Sequence, residues 1–140
     1  MSGVRLEDLA VGQSARIVRR VIAADIEAFA AVTGDDNPIH LDEAYAKATQ
    51  FGGRVAHGML SAGYISAVLG TKLPGPGAIY LSQTLSFRRP VRIGDEVEAE
   101  ATVSAIDTAR ARVTFQTVCR VAGKAVVEGE AQVIVPRRSA

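Results

Sequence analysis

The longest stretch without a polar face runs from Gly58 to about Thr71, where nearly every position holds an apolar or small side chain. Met59, Ile65 and Leu69 are interleaved there with serine, alanine and glycine, so a helix through this stretch has no polar side. The pattern predicts a helix buried on all sides, with small residues that let strands approach closely. At about 14 residues the helix would be roughly 20 Å long, which is too short to cross a bilayer.

The second half of the chain carries the pattern of β-strands. After a Pro-Gly-Pro-Gly turn at residues 74–77, apolar and polar residues alternate over residues 79–87, which predicts a half-buried strand. Three further strands are expected, and they cover residues 96–104, Arg112–Val121 and residues 124–135. A parallel crossover needs a dozen or more residues, so strands joined this closely must be antiparallel.

The first half mixes one strand with helices. A turn ends the segment 6–12, a strand is predicted over residues 14–21, and a helix over residues 24–33. Asp42 is placed to cap a further helix over residues 43–49. Together with the sheet, these elements predict an α+β fold in one domain that spans residues 1–140.

Composition and charge exclude several classes of partner. The formal net charge is +1 and the charges are interspersed, so no electrostatic field favours nucleic acid or an anionic membrane. The first residues lack the apolar run of a secretory signal, which makes the cytoplasm the expected location. The single cysteine, Cys119, lies in a strand-like run, so we expect a small core residue rather than a nucleophile.

Candidate chemistry is concentrated in the sequence Thr-Gly-Asp-Asp-Asn-Pro-Ile-His at residues 33–40. Asp35 and His40 are proton-transfer groups that a single helix would point about 140° apart. Pro38 prevents that helix, because its ring restricts the preceding residue and supplies no N–H, so the chain must turn. A carboxylate and an imidazole that share one water would form a general acid/base pair. The alternative is a helix cap at Gly34 followed by a solvated turn.

The motif Gly-Asp-x-Asn-Pro-x-His at residues 34–40 resembles that of the MaoC-like (R)-specific enoyl-CoA hydratases, also called hydratase 2, in their short single-domain form. The similarity continues through His-Gly-Met-Leu at residues 57–60 and Phe-x-x-Pro-Val-x-x-Gly-Asp-Glu-Val at residues 87–97. This resemblance implies the hot-dog fold, in which an antiparallel β-sheet wraps a long central α-helix, and a homodimer. It also implies reversible addition of water to a trans-2-enoyl-CoA, giving the (R)-3-hydroxyacyl-CoA, with no cofactor beyond the coenzyme A or acyl-carrier protein of the substrate.

The resemblance gives roles to five residues. Asp35 and His40 would activate the water that adds across C2=C3 and return a proton to C2. Asn37 would orient the loop, although a simple turn residue is the alternative. Gly58, at the start of the buried helix, would offer an unpaired N–H to the enolate oxygen, and close packing is the alternative. Ser66 matches a family serine that bonds the loop or the thioester, and a serine bonded to its own helix is the alternative.

Three arginines, Arg54, Arg88 and Arg89, are candidate ligands for the phosphates of coenzyme A, with a solvated surface position as the alternative for each. His57 is expected to be a cap or supporting residue rather than a catalytic one. The chain has 2 histidines and no metal-ligand spacing, so no metal site is expected.

Two other functions stay open. A hot-dog acyl-CoA thioesterase would direct a water at the thioester carbonyl carbon instead of C3, and release of thiol from an acyl-CoA would identify it. A non-catalytic acyl-binding subunit of a heteromeric dehydratase would be inactive when purified alone.

Overall fold

The computed structural model describes residues 3–138. A short 3-10 helix at Leu6–Asp8 precedes the main elements. The α-helices of the described residues are α1 (Ala23–Thr33), α2 (Pro38–Leu41), α3 (Glu43–Lys47) and α4 (Gly58–Thr71). The strands are β1 (Ser14–Arg20), β2 (Ile79–Gln83), β3 (Ser86–Phe87), β4 (Glu96–Asp107), β5 (Arg112–Val121) and β6 (Lys124–Ile134).

The strands form one antiparallel sheet in the order β1-β4-β5-β6-β2, and the short β3 also pairs with β6. The prediction of antiparallel strands is confirmed. Along β4, Val97, Ala99 and Ala101 are fully buried, while Glu98 and Glu100 alternate with them on the outer face. This period of two gives the sheet one apolar face, and the small alanines allow a helix to lie close to it.

Helix α4 has the predicted bounds and packs on β4, β1, β5 and β6. Its buried side chains, Ser61, Ile65, Val68 and Leu69, are spaced so that they share one face. The opposite face is uncovered, and Met59 is 53% exposed. The prediction of a helix buried on all sides is therefore wrong for a single chain, because one sheet covers only one face of a helix.

The strand predicted over residues 79–87 is divided into β2 and β3 and is not half-buried. Leu81 and Phe87 are 42% and 55% exposed. The reason is that β2 lies at the edge of the sheet. The break falls at Thr84, whose carbonyl oxygen lies where a side chain on Gly129 of β6 would be. The sheet therefore ends in a strand that exposes apolar side chains.

The remaining boundaries lie close to the predicted ones. Strand β1 ends at Arg20 rather than residue 21, and α3 ends at Lys47 rather than residue 49. Asp42 caps α3, since its Oδ1 accepts a hydrogen bond from the N–H of Tyr45 at 3.0 Å, as predicted. None of the helices between residues 3 and 138 combines the length and apolar character needed to cross a membrane.

Cys119 belongs to the core under α4. It is fully buried, and its thiol donates to the carbonyl of Ser61 at 3.4 Å. Burial raises the pKa of this thiol to about 12, so it stays protonated and unreactive at neutral pH. The prediction of a core cysteine is confirmed.

Candidate active site

The loop that follows α1 is turned by Gly34 and held by Thr33. Gly34 has φ 82°, in the left-handed region that favours glycine, and its N–H donates to the carbonyl of Ala30 at 2.8 Å. The hydroxyl of Thr33 donates to the carbonyl of Phe29 at 2.7 Å and accepts from the N–H of Asp35 at 3.1 Å. These bonds take the chain off the helix axis where the sequence predicted a turn.

A short helix, α2, begins inside the motif, where the sequence predicted only a turn. Pro38 occupies its first position, which suits proline because the first N–H groups of a helix have no partner within it. Asn37 caps the helix, since its side-chain oxygen accepts from the N–H of Ile39 at 3.1 Å. The N–H of Asn37 donates to Oδ1 of Asp35 at 3.4 Å. Asn37 thereby orders both the loop and the Asp35 carboxylate, and α2 carries His40.

One ring nitrogen of His40 is bonded to the main chain, and the other has no hydrogen-bond partner among residues 3–138. Its Nδ1 lies 2.7 Å from the carbonyl oxygen of Val55. A carbonyl can only accept, so Nδ1 carries the proton, and Nε2 of the neutral ring is left as an acceptor. The main-chain carbonyl of His40 accepts a hydrogen bond from Nε of Arg54 at 2.6 Å. The side chain of His40 is half-buried and that of Asp35 is exposed, so water can reach the pair.

A third polar residue, His57, completes this cluster, and sequence reasoning did not place it there. Side-chain atoms of Asp35, His40 and His57, one from each, all lie within 4.8 Å of one another. The ring of His57 stacks on that of His40, with the ring centroids 3.8 Å apart. Its Nε2–H donates to the main-chain carbonyl of Asp35 at 2.9 Å. The only signal in the sequence was a histidine directly before the central helix, which by itself gives no distance to the motif.

A carboxylate and two imidazoles so close together raise the question of a metal ion. A bound Zn²⁺ lies about 2 Å from each histidine nitrogen and in the plane of each ring. The planes of His40 and His57 are inclined by only 26° with centroids 3.8 Å apart, so they meet well beyond that distance. An ion at bonding distance from both histidines therefore cannot lie in the planes of both rings. The cluster fits proton transfer better than metal coordination.

Gly58 links this cluster to a cavity. It is the first residue of α4, so its N–H is among the donors that have no partner within the helix. The ring of Phe87 lies against it, and a Cβ at position 58 would be 2.5 Å from Cε1 of that ring. Beside them lies a cavity of about 460 Å³ with a mainly apolar lining, formed in part by Phe51, Val55, Met59, Phe87, Val91 and Val127. Neither Asp35 nor His40 lines the cavity, but Val55 does, and its carbonyl holds His40, so one residue connects the cavity wall to the pair.

Comparison with known proteins identifies the family. The family profile described as "MaoC like domain" matches residues 9–128. This chain belongs to the MaoC-like domain family. The (R)-specific enoyl-CoA hydratase of Rhodospirillum rubrum is 56% identical over 132 residues, which cover 94% of this chain and 92% of that protein.

Two solved structures show the same fold as this MaoC-like chain. The R-hydratase PhaJ1 from Pseudomonas aeruginosa matches with a TM-score of 0.93 and 47% identity, over 97% of this chain and 88% of that one. The (R)-hydratase from A. caviae involved in PHA biosynthesis matches with a TM-score of 0.91 and 46% identity, over 93% and 99% of the two chains. The sheet packed on α4 is thus the hot-dog fold, and that prediction is confirmed.

The three arginines of this MaoC-like chain do not form one group. Arg88 lines the cavity and pairs with Glu128 at 3.3 Å. Arg89 also lines it, and its Nη1 donates to the carbonyl of Ala125 at 2.6 Å. Arg54 instead binds the main chain of the motif and is not among the residues that line the cavity.

The two central-helix serines of the MaoC-like chain lie on different faces. Ser66 is exposed, and between residues 3 and 138 its hydroxyl has no hydrogen bond to the motif loop. Ser61 is 2% exposed and lines the cavity. Five residues turn a helix by about 140°, so only one of the two can face the sheet. Ser66, the serine chosen from the sequence, is thus exposed in this chain, and its role stays a prediction.

Proposed function

We propose that this chain is an (R)-specific enoyl-CoA hydratase, which reversibly adds water to a trans-2-enoyl-CoA, with Asp35 and His40 as its acid/base pair. The observation that carries the proposal is that side-chain atoms of Asp35 and His40 lie within 4.8 Å of each other, while Nδ1 of His40 is bonded to the Val55 carbonyl and its Nε2 has no hydrogen-bond partner among residues 3–138. The (R)-specific hydratase of R. rubrum supports both the reaction and its stereochemistry, because more than half of its matched residues are identical.

The pair handles two protons in each cycle. A water held between the Asp35 carboxylate and Nε2 of His40 adds its oxygen to C3 of the enoyl thioester. One member of the pair takes a proton from that water, and the pair gives a proton to C2, so the enzyme returns to its starting protonation state. The oxygen that adds to C3 and the proton that is given to C2 both come from the side of the substrate where the pair holds this water. Both therefore add to the same face of the double bond.

Negative charge develops on the thioester oxygen during this addition, and a hydrogen-bond donor is needed to stabilise it. The N–H of Gly58 fills that role, because it lies at the positive end of α4 and next in the chain to His57 of the cluster. A donor aimed at the enolate oxygen stabilises the transition state more than the ground state. The chemistry uses side chains and an amide, with no metal or redox cofactor.

The substrate is a thioester of coenzyme A or of an acyl-carrier protein. The apolar lining of the 460 Å³ cavity suits an acyl or pantetheine chain. Arg88 and Arg89 each keep N–H donors beyond those used in their present bonds, because a guanidinium has five. We propose that Arg88 and Arg89 use these donors to bind the phosphates of the carrier. Arg54 stays a candidate from the sequence alone, since it binds the main chain of the motif and does not line the cavity.

The enzyme acts as a homodimer in this proposal. Strand β2 is an open edge with exposed apolar residues, and the face of α4 around Met59 is uncovered. An unpaired apolar edge invites a second strand, and a second copy of the chain supplies one. Light scattering at micromolar concentration should give the dimer mass, and a monomer would contradict this part. The cytoplasm, the location expected from the sequence, belongs to the same proposal.

Hydration of crotonyl-CoA by wild type and three variants tests the proposal. Asp35→Asn and His40→Ala should each lower kcat by about a hundredfold or more, since each removes a proton-transfer group. Asp36→Asn is the matched control, because Asp36 is an exposed carboxylate next to Asp35 and should stay within about threefold of wild type.

Loss of enoyl absorbance measures hydration, and a thiol reagent in a parallel assay measures thioester cleavage. Near-normal turnover by Asp35→Asn or His40→Ala would remove the acid/base assignment. Thiol release without hydration would make the chain a thioesterase, and an inactive wild type would support a non-catalytic subunit.

A further inference from the structure

His57 is held by more contacts than its position before α4 requires. It is 3% exposed, and its ring centroid lies 3.8 Å from that of His40 and 4.5 Å from that of Phe29. Its main-chain carbonyl accepts the N–H of Leu60 at 3.0 Å, in the first turn of the helix. Residue 57 therefore contacts the motif through its side chain and α4 through its main chain.

The hydrogen bond from His57 fixes the direction of the motif loop. Its Nε2–H donates to the carbonyl of Asp35 at 2.9 Å. The hydroxyl of Thr33 holds the N–H of Asp35, but among residues 3–138 the carbonyl of Asp35 has no hydrogen-bond donor other than His57. Without this bond, the loop can rotate its carbonyl away, and the Asp35 carboxylate moves with it.

The stacked ring restrains His40 in a second direction. The bond from Nδ1 of His40 to the carbonyl of Val55 at 2.7 Å fixes one point of the ring. A flat neighbour on its face stops the ring from tilting about that bond. Together the two contacts hold Nε2 of His40 in one direction.

Packing alone does not explain an imidazole at this position. Because Nε2 of His57 carries the proton, Nδ1 of the neutral ring is an acceptor. This buried Nδ1 meets no donor from residues 3–138. A buried acceptor without a protein donor weakens folding, so an apolar side chain would suit a purely structural site at least as well.

We propose that His57 is a positioning residue, which sets the Asp35–His40 pair at a fixed distance from the amide of Gly58. The inference rests on the proposed hydratase function and extends it. The side chain of His57 holds both members of the pair, and the next residue in the chain carries the amide. The distance between the Asp35–His40 pair and the Gly58 amide matters only in the transition state. A change in this distance therefore lowers kcat and leaves KM nearly unchanged.

Three substitutions separate the hydrogen bond from the bulk of the ring. His57→Gln places an amide N–H near the position of Nε2 and keeps the donor to Asp35. His57→Asn carries the same amide one methylene closer to the main chain and cannot reach that carbonyl. His57→Leu fills the space without a donor. Thermal unfolding of all three checks that the fold is intact.

The expected kinetics rank these variants. His57→Gln should keep kcat for crotonyl-CoA hydration within about tenfold of wild type, whereas His57→Asn and His57→Leu should each lose about a hundredfold, the effect of a misplacement near 1 Å. KM should change by less than about threefold in all of them. A merely structural role would instead make the Gln and Asn variants alike and change kcat only with stability.

A second readout does not depend on activity. The chain has 2 histidines, so NMR of protein labelled with ¹⁵N in its imidazoles shows two rings. Wild type should carry the proton on Nδ1 of His40 and on Nε2 of His57. The Gln variant should keep the Nδ1–H form of His40. In the Asn and Leu variants the His40 ring should turn away from the Val55 carbonyl that fixes this form, so it should average between its two neutral forms.

Outcomes against the inference differ from outcomes against the function. A folded Leu variant with wild-type kcat and an unchanged His40 spectrum overturns the positioning role, as does an Asn variant equal to Gln in both readouts. A wild type that hydrates no enoyl-CoA overturns the proposed function, and the His40 spectra still decide whether His57 holds the ring.

Discussion

Replacing Gly58 by alanine tests how closely Phe87 covers the start of α4. The new Cβ would lie 2.5 Å and 2.6 Å from Cε1 and Cδ1 of the ring. Carbon atoms in ordinary contact are about 3.5–4.0 Å apart, so the ring must withdraw by at least about 1 Å. Phe87 is 55% exposed and is therefore free to move, which means that the helix need not unfold to relieve the contact.

The effects of this substitution on stability are small and opposed. Alanine favours a helix over glycine by up to about 1 kcal/mol. Displacing a half-exposed ring costs about the same amount in lost apolar contact. The free energy of unfolding should thus change by less than about 1 kcal/mol, and the melting temperature by no more than about 5 °C.

The effect on activity should be larger, because Phe87 lines the cavity in which the substrate is proposed to bind. A shift near 1 Å beside the reacting groups lowers kcat/KM by about 10- to 100-fold. The assay is crotonyl-CoA hydration by wild type, Gly58→Ala, Phe87→Ala and the double variant, with thermal unfolding of each.

The double variant decides the cause. If the loss comes from the ring, Gly58→Ala should cost less than about threefold in the Phe87→Ala background, a coupling of about 1–2 kcal/mol. An equal cost in both backgrounds would refute the reasoning, because the alanine methyl would then act on something other than Phe87.

Two further substitutions test the core of the fold. Gly129→Ala should lower the free energy of unfolding by at least about 3 kcal/mol, because its Cβ overlaps the main-chain carbonyl of Thr84, which no side-chain rotation can move; a loss below about 1 kcal/mol in urea unfolding would contradict this. The Cys119 thiol has a pKa of about 12 when folded and about 8.5 when unfolded, so above about pH 8.5 only the unfolded state of the wild type loses this proton. Loss of the proton stabilises the unfolded state, so the free energy of unfolding of the wild type falls as the pH rises. Cys119→Ala removes this contribution, and its stability should fall less steeply with pH. Parallel wild-type and variant curves between about pH 7.5 and pH 10 would show that the buried thiol has no such effect.

The elements that depend on local pattern were predictable from the sequence. Helix α4 and strand β5 have the predicted bounds, since an apolar run and a period of two are properties of the segment itself. Helix α2 was missed because Pro38 was interpreted only as a helix breaker, although proline also suits a first helical position.

Features that depend on distant residues were not predictable in this way. The break between β2 and β3 is set by the approach of Thr84 to Gly129 on another strand. The place of His57 in the cluster is likewise a contact between segments that no spacing rule connects. Which face of a helix is buried also depends on distant residues. The sheet that covers α4 buries Ser61 and leaves Ser66 exposed.

The stereochemistry of hydration is the most direct test of the central claim, that Asp35 and His40 hold one water on one face of a thioester whose oxygen lies at Gly58. Crotonyl-CoA is hydrated by the enzyme, and the product is offered to an (R)-specific and to an (S)-specific 3-hydroxyacyl-CoA dehydrogenase. The expected product is (R)-3-hydroxybutyryl-CoA, which only the (R)-specific enzyme oxidises. Oxidation by the (S)-specific enzyme would show that water does not add from the face proposed for Asp35 and His40, even if hydration were fast.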